Sequence, residues 1–188
     1  MDDATTDLIK TIAPVVSGQS YDIMPIQMMA QNAEWFDAGP VSFAVEARLL
    51  GESKDDMSGG GGSIHVFSGD RENEYVRFDC FDSTPHYHYV NSAIRRNVVW
   101  GFDTGSNGPM PQWALSAIRD NLPGLLRSAG ADNCAARVEA EGFDTSVLAK
   151  MAEAVSAAHR RTLTDTDMLG KGQEWIANWR DKELAARG

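Results

Sequence analysis

The chain has 188 residues, 43% of them hydrophobic and 9% aromatic, which is enough for one domain with a sizeable core. Its formal net charge is -10, and the acidic excess lies in the first 90 residues, so phosphate repulsion argues against nucleic acid or an anionic membrane as a partner. No apolar run approaches the ~20 residues of a membrane span, and the N-terminus lacks a signal-peptide pattern. We therefore expect a cytoplasmic protein.

The chain divides into three parts by composition. Residues 1–41 predict a short helix over 5–16 followed by an irregular arm that is rich in methionine. Residues 42–165 predict an α+β core domain, and residues 166–188 a C-terminal helical extension. The two cysteines, Cys80 and Cys134, form no CxxC pair, which excludes the commonest structural zinc patterns and argues against a disulfide framework.

From Ser42 onward the hydrophobic residues recur with a period of two, which is typical of half-buried strands. We predict an antiparallel meander of about four strands within residues 42–90. The connection over residues 51–63 ends in four glycines, and we expect a hairpin loop there, or a lid over the nearby site. Residues 91–108 show no clear period and are predicted to be irregular.

The C-terminal half carries helical periodicity, and these helices are predicted to cover one face of the sheet. Pro123 interrupts the first apolar stripe and predicts a kink that separates residues 112–121 from 123–129. A short helix is expected near 133–140, a longer one after an N-cap at Asp144 or Thr145, and a last one over 173–186.

The stretch from Phe78 to Tyr89 concentrates the groups that are capable of chemistry. It contains two carboxylates, a thiol and two histidines within twelve residues. On a strand, the period of two places His86 and His88 on one face and Tyr87 and Tyr89 on the other. Two imidazoles side by side on a rigid strand suit a metal ion better than a hydrophobic core.

Strand phases bring further candidates to the same face. If the apolar faces all point to the helices, His65, Arg77 and Asp79 share the opposite face with His86 and His88. The predicted ligands of a divalent metal, Zn(II), Fe(II) or Mn(II), are His86, His88, His65, Asp79 and Asp82. Either aspartate is a candidate ligand or an acceptor that orients an imidazole.

Two alternatives use the same residues without a metal. In the first, a histidine held by an aspartate acts as general base, with His86, His88, Asp79 and Arg77 as catalytic candidates and the arginine binding an anionic substrate. In the second, the histidines are only a polar sheet face. A one-residue shift of register at Pro85 would turn both rings toward the core instead.

Two functional hypotheses follow. The first is a small cytosolic protein that binds a divalent metal at a His/Asp site on a sheet and acts on a small molecule. The second is a non-catalytic accessory subunit of a larger enzyme complex, or a homo-oligomer, with the helix of Trp175 and Trp179 as the anchor for the partner. The alternative for those two tryptophans is packing against the chain's own core.

Overall fold

Alternating apolar residues in the middle of the chain build an antiparallel sheet that organises the protein. The computed structural model describes residues 18–21, 23–49, 60–165 and 167–186, so the helix predicted over 5–16 and residues 51–59 of the loop predicted over 51–63 lie outside the described residues. Residues 60–63, the last part of that predicted loop, belong to a strand instead. The strands are β1 (Gln19–Ser20), β2 (Ala33–Asp37), β3 (Val41–Leu49), β4 (Gly60–Ser68), β5 (Glu74–Phe81), β6 (His86–Asn91) and β7 (Arg96–Gly101). They are ordered β1-β7-β6-β5-β4-β3-β2 across the sheet.

The prediction of an α+β fold with an antiparallel sheet and C-terminal helices is confirmed, but the count of about four strands is wrong. The described sheet has seven strands, because β1 and β2 come from the predicted arm and β7 from the segment predicted to be irregular. β1 has two residues, too few to show a period. In β7 the buried face begins with the polar Asn97, so no apolar alternation marks the strand.

Five helices follow the sheet in the described chain. They are α1 (Thr104–Asn107), α2 (Met110–Ser128), α3 (Asp132–Glu141), α4 (Val147–Thr164) and α5 (Met168–Ala185). The predicted interruption before Pro123 is present, since Asn121 has non-helical φ and ψ angles of −149° and 35° inside α2. This break removes the clash between the proline ring and the preceding turn.

The sheet lies between two layers, and its two faces differ in polarity. One face packs against α2, α3 and α4 through the main apolar core, to which Phe43, Ile64 and Phe78 contribute with no exposed surface. The other face is covered by residues 18–32, called the arm below, and by α5. Tyr21, Ile23 and Ile26 of the arm form a second apolar cluster there with Val99 and Trp179.

No helix within the described residues is both long enough and apolar enough to cross a membrane.

Candidate metal centre

Three ligand-type side chains meet on the face of the sheet that the arm covers. In the antiparallel pairing of β5 with β6, Asp79 stands opposite His86, and Arg77 stands opposite His88. The Asp79 Oδ2 atom lies 3.4 Å from His86 Nε2 and 3.3 Å from His88 Nε2. The ligand atoms of the three residues all lie within 4.8 Å of one another, which is the spacing of a group that could hold one metal ion.

The alternation along β6 places the two imidazoles as the sequence predicts. Tyr87 and Tyr89 face the helices, where the Tyr87 ring packs 5.3 Å from Trp113. His86 and His88 lie on the opposite face with their ring centres 5.0 Å apart. No register shift occurs between β5 and β6, so the rings are not turned into the apolar core.

Hydrogen bonds on the far side of each ring fix its tautomer. His86 Nδ1 donates to the Thr84 carbonyl oxygen at 2.7 Å, because a carbonyl can only accept. His88 Nδ1 donates to Asn97 Oδ1 at 2.9 Å, and the amide orientation follows from Asn97 Nδ2, which donates to the Ile23 carbonyl at 2.7 Å. Both histidines therefore keep Nε2 free for a proton or a metal, as metal-binding histidines do.

The group is buried, and burial changes the pKa values of its members. The three residues are 3 to 7% exposed. Burial lowers the pKa of His86 to about 4, so at neutral pH its Nε2 presents a lone pair to the Asp79 carboxylate. Burial alone would raise the pKa of Asp79, but the nearby charges of Arg48 and Arg77 hold it well below its usual value.

The second oxygen of the aspartate is also occupied. Ser63 Oγ, on the neighbouring β4, donates to Asp79 Oδ1 at 2.5 Å. Ser63 is fully buried and pairs with Asp79 in the register of β4 and β5. This contact fixes the carboxylate so that Oδ2 is the atom that faces the histidines.

His65 is not part of this group. It stands opposite Arg77 on β4, with Nδ1 2.7 Å from Glu74 Oε1 and Nε2 3.2 Å from Glu46 Oε2. Burial disfavours its charged form, but the charge of Glu74 and the hydrogen bonds to both carboxylates outweigh burial and raise the pKa of His65. The structure thus places His65 in a second buried network, between two glutamates.

Arg77 and Asp82 also lie in environments that differ from the substrate-binding and ligand positions predicted for them. The Arg77 guanidinium donates two hydrogen bonds to the Glu74 carboxylate and one to the Ile26 carbonyl, so it is engaged within the chain. Asp82 lies beyond the end of β5 with a largely exposed side chain, and its nearest ionic partner is His159 at 3.8 Å. Neither residue contributes a ligand atom to the group of Asp79, His86 and His88.

The residues that sequence analysis missed are those that support the ligands. Ser63 and Asn97 carry no sequence signal, because their roles depend on which strands are neighbours. Glu74 was overlooked because it begins β5, where a charged residue is typical of a solvent-exposed strand end. Its carboxylate is instead largely buried against His65 and Arg77.

Comparison with protein-family models matches residues 35–155 to a domain of unknown function, DUF7700. Comparison with curated proteins gave no match, and neither did comparison with solved structures. The matched segment contains the three residues of the candidate centre, whereas residues 18–32 of the arm and α5 lie outside it. Since the match spans well over half of the chain, this protein belongs to the DUF7700 family.

Proposed function

We propose that this protein binds one divalent transition-metal ion through Asp79, His86 and His88. The observation that carries the proposal is the pair of Nε2 atoms directed at one anionic carboxylate oxygen, with both Nδ1 atoms committed elsewhere. Two neutral imidazoles and one carboxylate suit Zn(II), Fe(II) or Mn(II). The bound ion would place a positive charge between the His86 lone pair and the Asp79 oxygen, which face each other as two electron-rich groups.

Three protein ligands leave coordination positions for water or a small molecule. When bound, such an ion polarises an oxygen ligand or lowers the pKa of a bound water. The chain's own residues would hold the ion, with Ser63 orienting Asp79 and Asn97 orienting His88. On this basis we favour metal-dependent chemistry on a small molecule as the activity.

A second candidate is a purely structural charge cluster, and one observation favours it. The three carboxylates on this face, those of Glu46, Glu74 and Asp79, lie among Arg48, Arg77 and His65, and the two glutamates raise the pKa of His65. Cationic and ionisable groups of the chain itself thus compensate these carboxylates. In that case the polar groups serve to hold the arm in place, which agrees with the role of an accessory subunit.

Metal analysis separates the two candidates. We expect the purified chain, loaded with Zn²⁺ and passed through a desalting column, to retain one equivalent of metal by elemental analysis. His86→Ala, His88→Ala and Asp79→Asn should each weaken binding by more than the ~10–100-fold that loss of an orienting residue costs. His159→Ala is the matched control, because this histidine is partly exposed and lies outside the group.

Two further variants test the size of the ligand set. His65→Gln and Asp82→Asn should leave the stoichiometry at one, because neither side chain belongs to the group. Loss of the metal in either variant would contradict the three-ligand centre and favour the larger set predicted from the sequence. A wild-type protein that retains no Zn²⁺, Fe²⁺ or Mn²⁺ would leave the structural cluster as the function of this face.

A further inference from the structure

The arm is held on the polar face by buried side chains of the sheet. Three backbone groups of the arm take part: Ile23 O accepts from Asn97 Nδ2, Ile26 O accepts from Arg77 and Arg48, and Met29 N donates to Glu46 Oε1 at 2.7 Å. Residues 23–29 form no strand of their own. Their position therefore depends on these polar anchors and on the apolar cluster below α5.

The same arm packs beside the candidate centre. Val99, which pairs with His88 in the register of β6 and β7, is fully buried against Tyr21, Ile23 and Ile26. The three ligand residues are buried as well. Because these residues are buried, an ion reaches them only when part of the surrounding structure moves, as in proteins whose lids open on local unfolding.

One side chain joins the arm to the centre. Asn97 uses its carbonyl oxygen to hold His88 Nδ1 and its amide nitrogen to hold the Ile23 carbonyl. It is 2% exposed, so water does not substitute for either partner. Its two hydrogen bonds form a continuous path from the imidazole to the arm backbone.

We propose that Asn97 is a positioning residue that couples metal occupancy to closure of the arm, an inference that rests on the proposed metal centre. A cation on His88 Nε2 makes the Nδ1 proton a stronger donor, which strengthens the bond to Asn97 Oδ1. The polarised amide in turn becomes a better donor to Ile23. Because the coupling is reciprocal, an arm held closed also retains the ion.

Amide exchange measured by NMR reports on the arm directly. Two backbone amides serve as reporters. The Met29 amide donates to the Glu46 side chain, and the Tyr21 amide donates to the backbone carbonyl of Asn97. Co²⁺ binding, followed by its visible absorption, and Zn²⁺ content report separately on the centre. We expect Zn²⁺ to slow exchange of both amides about fivefold or more in the wild-type protein, which is the lower range of measured couplings.

The substitution Asn97→Asp keeps one of the two side-chain hydrogen bonds of this residue and removes the other. The new carboxylate still accepts from His88 Nδ1 but has no proton for the Ile23 carbonyl. We expect it to bind Co²⁺ and Zn²⁺ while the slowing of exchange disappears. If a buried carboxylate prevents folding, Asn97→Ala serves instead, with Co²⁺ binding about 10–100-fold weaker and no slowing at saturating metal.

Asn91→Ala is the matched control for this pair of variants. Asn91 is a buried asparagine on the adjacent strand, but its amide donates to Ala129 O and Gly130 O, away from the arm. This variant should retain both metal binding and the slowing. Metal bound without any change of exchange in the wild-type protein would overturn the coupling alone, as would full slowing in Asn97→Asp. A protein that binds no metal would overturn the metal centre, and the coupling with it.

Discussion

The two glutamates on the covered face, Glu46 and Glu74, are stabilised by partners of opposite charge, Arg48 and Arg77. Burying an ionised side chain without a partner would cost roughly several kcal/mol, so such a side chain would become neutral instead. Glu74 shows the compensation: burial alone would raise its pKa, but the charges of Arg77 and His65 hold it below the usual value. The Cys80 thiol on the other face has no such partner, and burial raises its pKa, so it stays a neutral core residue.

His65 gives the face a pH dependence of stability. Its pKa is raised on folding, so its contribution is fully present below the unfolded value of about 6.5 and is lost as pH rises through the folded value. We expect the unfolding free energy of the wild-type protein to exceed that of His65→Gln most at low pH and least at high pH. Glu46, Glu74 and Arg77 face the ring, and the first two favour its charge.

Chemical denaturation at a series of pH values from about 6 to 10 measures this difference. His159→Gln is the control, since this histidine is partly exposed and pairs with Asp82 at a longer distance. A difference between wild type and His65→Gln that does not change across the range would show that His65 is not charged in the folded protein.

At the scale of elements, the close approach of two backbones explains a glycine in α5 that helix propensity alone would not predict. Gly172 lies within α5, where glycine costs about 1 kcal/mol relative to alanine. A methyl group at this position would collide with the Leu49 carbonyl oxygen at the end of β3. The glycine thus allows α5 to pack directly against the end of β3.

We expect Gly172→Ala to destabilise the protein by about 1–3 kcal/mol, because overpacking outweighs the gain in helix propensity. Lys171→Ala, an exposed change in the same turn, should alter stability by less than about 0.5 kcal/mol. Thermal and denaturant unfolding of the two variants provide the comparison. A more stable Gly172→Ala would mean that α5 does not approach β3 as closely as described.

At the scale of the whole molecule, α5 and the arm form a cover that lies outside the family-matched segment. Trp179 is 4% exposed within the apolar cluster of the arm, and Trp175 Nε1 donates to the Gln27 carbonyl at 2.7 Å. The helix is thus engaged with its own chain through both tryptophans, which is the alternative that the sequence left open. An interface with a partner through this helix stays a prediction.

Truncation of the two tryptophans tests how the cover is held. Trp179→Ala should cost about 3–5 kcal/mol of unfolding free energy, as expected for a large buried aromatic side chain. Trp175→Ala should cost less, since its side chain is only partly buried and its main loss is one hydrogen bond worth about 1 kcal/mol. Equal, small losses in both variants would indicate that the cluster with Tyr21 and Ile23 contributes little to stability.

The sequence by itself determined the local features of this protein. Alternation at His86–Tyr89, the apolar phases of β3 to β5 and the proline break in α2 depend on residues that are near each other in the chain, so their periods were visible. The α+β class and the expectation that His86, His88 and Asp79 share one face of the sheet followed from these periods.

Only the tertiary structure decided what those features became. The short strands β1 and β2 and the polar start of β7 have no period to detect, because their pairing with distant strands is what makes them strands. Two predicted ligands do not belong to the group. The strand register places His65 opposite Arg77, and Asp82 lies beyond the end of β5, so both are separated from His86. The arm converts an open polar face into a buried one, and burial is the physical reason that its charges require partners.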